Sequence, residues 1–198
     1  MADSLFLTLQ AEAYRKGLQV RSAEAREWFR DKVKTMTNIN RRNLLKDSAL
    51  SPKNRPFPGR MYMYFYDPKH RETLPYYDAF PLTIMIEPAP GGFYGLNLHY
   101  LSPVIRAKFL DKLMITMNND RMDQTSKLKI NYQILSAAKK YREFQPCFKR
   151  YLTTQVESRV VLVEPSEWEI AIFLPTEQFR KANKRTVWKE SKDIYRAS

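Results

Sequence analysis

Cysteine occurs once in this chain, at Cys147, histidine only at His70 and His99, and no apolar run approaches the ~18 residues of a membrane-spanning helix. A single cysteine excludes an internal disulfide and any cysteine-rich zinc site. The two histidines lie far apart in sequence with no Cys or Asp at ligand spacing, so they read as satisfied or surface side chains rather than metal ligands. Cys147, in QPCFKRY, has Lys149 and Arg150 beside it but no nearby histidine, and reads as a small buried hydrophobe. The stretch GGFYG has the glycines of a phosphate loop, yet it precedes a strand and lacks the following Lys-Ser/Thr. Asp67, Glu72, Asp78 and Glu87 offer carboxylates for an acid and base pair, but Asp67 before Pro68 and Asp78 after Tyr77 read as turn formers. No catalytic residue, metal ligand or cofactor site assembles from these parts, so the expectation is a non-enzymatic protein without a cofactor.

What the chain has in excess is positive charge. Its 198 residues carry 34 Lys and Arg against 21 Asp and Glu, a net +13, which calls for an acidic partner, either nucleic acid or a negatively charged protein surface. Residues 61–118 are balanced and the basic excess lies on both sides of them. A hydrophobic fraction of 43% supports one packed core with decorating extensions. Asp3 and Glu12 stand where a signal peptide has a basic start and an unbroken apolar run, so a soluble protein of a reducing cytoplasm is expected, with no membrane partner.

The neutral middle carries the strand signals. RMYMYFY (60–66) and LTIMIE (82–87) are β-rich runs bounded by turn residues, and FYGLNLHY (93–100) alternates Leu96, Leu98 and Tyr100 against Asn97 and His99. PAPGG turns the chain between the last two, and RVVLVE (159–164) is a candidate fourth strand. Helices surround this sheet. SLFLTLQAEAYRKG closes on Gly17; SAEAREWFRDKVKTM opens on Ser22 with Ala25, Phe29, Val33 and Met36 on one face; SPVIRAKFLDKLMITM opens on Ser102 and Pro103. TSKLKINYQILSAAKKYREF reads as a further helix with Leu128, Leu135 and Ala138 inward, and SEWEIAIFLP fits either period. The fold class is therefore α+β: a small antiparallel sheet, surrounding helices and extended basic arms. The expected organisation is an N-terminal helical hairpin over 1–36, an extended basic arm over 37–59, an α+β core over 60–175 and a basic helical tail over 176–198.

Two groups of residues stand out as contact candidates. In YDPKHRETLPYYDAFPL (66–82), Tyr66, Leu74, Tyr76, Tyr77, Phe80 and Leu82 give contact area at low entropy cost, for the chain's own core or for a protein interface. On the arm, Arg41, Arg42, Lys46, Lys53, Arg55 and Arg60 suit partner contacts; further clusters are Lys139, Lys140, Arg142, Lys149 and Arg150, then Arg180, Lys181, Lys184 and Arg185. No zinc finger, RNA-recognition signature or helix-turn-helix organises them, which argues against sequence-specific base reading.

GRMYMYFYDPKHRETLPYYDAFPLTIMIEPAPGGFYGLNLHYLSP resembles a segment of structural proteins from contractile-tailed bacteriophages of the T-even-like group and their marine and cyanobacterial relatives. MADSLF, NINRRNLL, YREFQPCFKRYL and EWEIAIFLPTEQF resemble further portions. The resemblance implies a virion protein made in the host cytoplasm, set among other tail or baseplate subunits in a large symmetric assembly through interlocking arms. The alternative expectation is a neck, head-completion or DNA-end-binding protein that contacts the packaged genome non-specifically. A nuclease ranks last, because no carboxylate cluster accompanies a lysine at a recognisable spacing.

Overall fold

Ser4 and Ser22 open the first two helices by accepting the amides of Leu7 at 3.1 Å and Ala25 at 3.0 Å, each satisfying one of the donors that a helix start leaves unpaired. The computed structural model describes residues 4–19, 21–53, 55–117, 119, 121–123, 125, 132–137 and 142–196. Helix α1 spans Leu5–Arg15 and α2 spans Ala23–Val33. Gly17, at φ 71°, turns the chain out of α1 so that the Leu18 amide reaches the Ala13 carbonyl. Phe6, Leu9 and Ala13 of α1, and Ala25, Phe29 and Val33 of α2, enter one core.

The 37–59 segment is packed over much of its length, not an extended arm. Asn40 caps a single turn, α3 (Arg41–Leu44), and Leu44, Leu45 and Leu50 are buried. The segment then adds β1 (Ser51–Lys53) to the sheet. Its apolar residues are too few for a periodic signal, but Ile39, Leu44, Leu45, Ala49 and Leu50 pack in or against the core, while Phe57 is exposed. Asp47 ties the turn to α1, accepting from the Ser4 hydroxyl at 2.5 Å and the Leu5 amide at 2.9 Å.

The architecture is α+β. Six strands form one antiparallel sheet: β1, β2 (Met61–Met63), β4 (Leu82–Ala89), β5 (Gly92–Asn97), β6 (Phe148–Leu152) and β7 (Val160–Val163), in the spatial order β1-β7-β2-β4-β5-β6. A second pair, β3 (Tyr77–Asp78) with β8 (Phe179–Arg180), stands apart from it. The hairpin β4–β5 turns at Pro90-Gly91, with Gly91 at φ 70°. Gly95 lets β5 approach β4: a Cβ there would lie 2.3 Å from Thr83 Cγ2.

One face of the sheet, with Met61, Met63, Leu82, Ile84, Leu96, Val161 and Val163, packs into the helical core. The other carries Tyr62, Tyr64, Tyr66, Phe93 and Tyr151, equally buried. This face is covered because the sheet curls: beyond β6 the chain returns to the end of β2, with a bridge between Tyr66 and Val156 and a Glu157 amide bond to the Phe65 carbonyl at 2.9 Å. The rings meet edge to face, Tyr64 on Tyr151 at 5.6 Å and 88°.

One expected strand ends early, and one open choice between helix and strand is resolved. The strand ends at Asn97; Leu98–Tyr100 form a 3-10 turn, and Asn97 and His99 are buried, because Asp78 supplies them with partners. SEWEIAIFLP is helical, a 3-10 turn over Pro165–Glu167 leading into α5 (Trp168–Ala171). Helices α4 (Pro103–Met117) and α6 (Lys184–Arg196) complete the described helices named here. Half of the helix expected over 125–144 lies outside the described residues; within it 132–137 are helical and Leu135 is buried. No described helix is long and apolar enough to cross a membrane.

Candidate nucleic-acid interface

The 66–82 loop is held down by its own chemistry. Arg71 pairs with Asp67, and the Lys181 ammonium donates to the carbonyls of Arg71, Glu72 and Leu74 at 2.6, 2.8 and 3.3 Å. Asp78 then anchors the return. Its carboxylate accepts from the Phe80 and Gln178 amides at 3.1 and 3.0 Å, from Asn97 Nδ2 at 3.0 Å and from His99 Nδ1 at 2.7 Å. His99 Nε2 faces Thr176 Oγ1 at 3.1 Å. Burial raises the Asp78 pKa, but His99 and the other donors outweigh it and hold the carboxyl below its ordinary value.

Asp78, His99 and Thr176 stand in the order of a hydrolase relay, yet all three are buried and none lines a groove, so no substrate atom reaches the threonine hydroxyl. The array is a brace. Arg106, also buried, extends it by donating to the carbonyls of Leu101, His99 and Ile172, with Glu177 at 3.9 Å. Cys147 is buried too, and its thiol is pushed up to about 12 by burial, which makes it inert. Among the described residues no three His, Cys, Asp or Glu side chains are placed to hold a metal ion.

Outside this brace the surface opens between α4 and α6. Asn183 starts α6 by accepting the Thr186 amide at 3.0 Å, and the buried pair Val187 and Ser191 fixes which face turns inward. That leaves Lys189, Lys192 and Arg196 beside a groove of about 850 Å³, across from Lys108 and Lys112 of α4. Among the described residues no carboxylate lines it. Of the acids on the two helices, Asp111 pairs with Arg26 at 2.7 Å, Glu190 hydrogen-bonds Tyr76, whose phenol burial and Glu190 together push up to about 12, and the exposed Asp193 is not part of the groove lining. A second groove, of about 860 Å³, adjoins the first through Val104 and Trp188 and adds Arg30, Lys34 and Lys184. Trp188 is fixed at the junction, its indole N–H donating to the His99 carbonyl at 2.8 Å.

The sequence-predicted contact residues scatter. Tyr66, Phe80 and Leu82 are buried in the chain's own core, Leu82 at the start of β4 and Tyr66 and Phe80 in the connections beside the strands. Tyr76 packs against Tyr100 and Phe179, Tyr77 is half-buried in β3, and Leu74 is exposed. Arg41 donates to the carbonyls of Thr176 and Glu177 at 2.8 and 2.9 Å, and Arg60 lies 3.7 Å from Glu164. Arg42, Lys46, Lys53 and Arg55 are exposed. Lys149 sits 4.3 Å from the Tyr100 ring centroid with its pKa lowered by burial, Arg150 donates to the Pro90 carbonyl, and Lys184 pairs with Glu177. Lys139, Lys140 and the Arg142 side chain lie outside the described residues. The groove cations were missed. The signal was present in the spacing of Lys108 with Lys112 and of Lys189, Lys192 and Arg196, which share helical faces.

Residues 3–196 match the family described as Phage T4 terminal DNA protecting protein, and the chain belongs to that family. The resemblance to T-even-like phage proteins holds at that level, while the match lends no support to a tail baseplate. No curated protein and no solved structure matches the chain.

Proposed function

We propose that this member of the terminal DNA protecting family is a non-enzymatic, virion-associated protein that holds the end of a DNA molecule against the groove between α4 and α6. The family's description and the alternative reading of the sequence point the same way, and both favour a DNA terminus over a baseplate contact. The observation that carries the reading is a groove with five cations and, among the described residues, no carboxylate on its lining. Neutralising phosphates releases condensed counterions, at about −0.9 in log–log salt slope per contact. A brace of buried hydrogen bonds beneath the groove keeps its walls fixed, so little ordering cost is left for binding. The exposed Leu74 and half-buried Tyr77 at the outer loop are assigned to contact with a neighbouring virion protein; unchanged particle incorporation of Leu74→Asp would dismiss that assignment.

The test is competition between linear DNA and a covalently closed circle of the same sequence. Labelled linear duplex bound to the protein should be displaced by unlabelled linear DNA in proportion to its ends, and the linear duplex should resist exonuclease while the protein is bound. Equal competition by the closed circle would remove the end-holding reading and leave general DNA affinity.

A further inference from the structure

Four candidates merit comparison: the buried Asp78–His99–Thr176 array, the small cavity near Tyr62 and Tyr132, the exposed 70–74 turn and the α4/α6 groove. The first is closed to solvent, the second mixes Lys53 and Arg60 with Glu164, and the third is fully explained by Lys181. The groove has features that its use as a general basic surface leaves unexplained.

Its cations stand in two rows with an apolar floor between them. Lys108 and Lys112 lie on one wall, Lys189, Lys192 and Arg196 on the other, and Ile105, Phe109, Phe144 and Trp188 contribute apolar surface. Along each helix the charges recur every ~4.5–6 Å, from a rise of about 1.5 Å per residue. A duplex keeps its bases paired inside and presents phosphates outward, so it has nothing to lay on an apolar floor. An unpaired strand has both parts: a backbone for the charged walls and base faces for the floor. Size agrees, since about 850 Å³ is the volume of a small-ligand cleft, room for a few small groups.

A second observation points to a ligand. Ser191 lines the groove and is only 5% exposed, yet its Oγ has no hydrogen-bond partner among the described residues. A buried hydroxyl without a partner is uncommon in a folded chain. Here it lies on the groove lining with Lys189, Lys192 and Arg196, where a phosphate oxygen would satisfy it.

We propose that the α4/α6 groove seats an unpaired strand of DNA, so that the protein recognises a terminus by its single-stranded overhang, with Ser191 donating to a phosphate of that strand. The proposal rests on the DNA-end reading above and specifies which form of end is held. It assigns Lys108, Lys112, Lys189, Lys192 and Arg196 to the strand's backbone and Trp188 to its bases.

Fluorescence anisotropy with two labelled probes, a blunt duplex and the same duplex with a short single-stranded overhang, and a closed circle as unlabelled competitor tests it. The overhang duplex should bind at least tenfold more tightly than the blunt one. Lys189→Gln with Lys192→Gln should erase that preference while circular dichroism and Tm stay those of the parent, because both side chains are exposed. Ser191→Ala should weaken overhang binding several-fold with Tm unchanged, since no intramolecular bond is lost; unaltered affinity would remove Ser191 from the site. Equal affinity for blunt and overhang ends, both above the circle, would overturn the single-strand proposal and leave end recognition standing. A circle that competes as well as either would overturn the end reading itself.

Discussion

Replacing Asp78 by alanine tests whether the buried brace holds this fold together. The carboxylate satisfies two backbone amides, one side-chain amide and one imidazole nitrogen, and Asn97 and His99 are almost wholly buried. Removing one partner from such a site costs about 3–5 kcal/mol, because the remaining donors stay buried and unpaired. Against a total of about 5–15 kcal/mol for a natural domain, that is a large share. At roughly 2–4 °C per kcal/mol for a chain of this size, Tm falls by roughly 6–20 °C. Asp67→Ala is the control: its carboxylate pairs with the exposed Arg71 at the surface, and Tm should not move measurably. Scanning calorimetry of both variants reads the difference. Since the Asp78 carboxyl titrates below its ordinary value in the fold, its contribution is complete above about pH 3.9 and is lost as pH falls through the lower folded value. Acid unfolding of the parent should therefore be steeper than that of Asp78→Asn below about pH 4. A Tm drop for Asp78→Ala no larger than that for Asp67→Ala would refute the brace.

Further expectations concern single sites. Cys147 should resist alkylation in the native protein at pH 8 and react fully in denaturant, as mass spectrometry would show; fast native labelling would contradict its burial. Gly95→Ala should be strongly destabilising through its clash with Thr83, and Thr83→Ser should recover part of the loss in a double-mutant cycle, with additive losses counting against the contact. Lys181→Met should speed tryptic cleavage at Lys69 or Arg71, because the 70–74 carbonyls lose their ammonium donor; unchanged proteolysis would show the turn to be held otherwise.

Much of the architecture was legible because local chemistry and tertiary packing agree. Ser22 caps α2 where the sequence places a helix start, and the β-rich runs at 61–63, 82–89 and 92–97 pair in chain order. What escaped depended on partners distant in sequence. His99 and Asn97 read as the outward residues of an alternating strand, and only Asp78 and Thr176 make their burial tolerable. Tyr66 reads as a contact residue because nothing local reveals that the sheet curls over its tyrosine face, and Phe80 and Leu82 because nothing local reveals the helical core they enter. The conspicuous basic runs misled in a similar way: Arg41, Lys149, Lys181 and Lys184 are committed to carbonyls, a ring or a carboxylate within the chain. The groove cations are sparser in sequence and converge only in the fold, where α6 and α4 both line the groove.

The measurement that bears most directly on the central claim is the salt dependence of binding to a linear DNA end, for two sets of charge-neutralised variants. One set carries glutamine at Lys108, Lys112, Lys189, Lys192 and Arg196; the other carries it at Arg42, Lys46, Lys53 and Arg55. Each phosphate contact contributes about −0.9 for a duplex, or about −0.7 for a single strand, to the slope of log affinity against log salt, so the groove set should flatten the slope by about 3.5–4.5 and the other set should leave it near the parent value. The reverse outcome, a slope kept by the groove variants and lost by those of the 42–55 segment, would contradict the assignment of DNA to the α4/α6 groove.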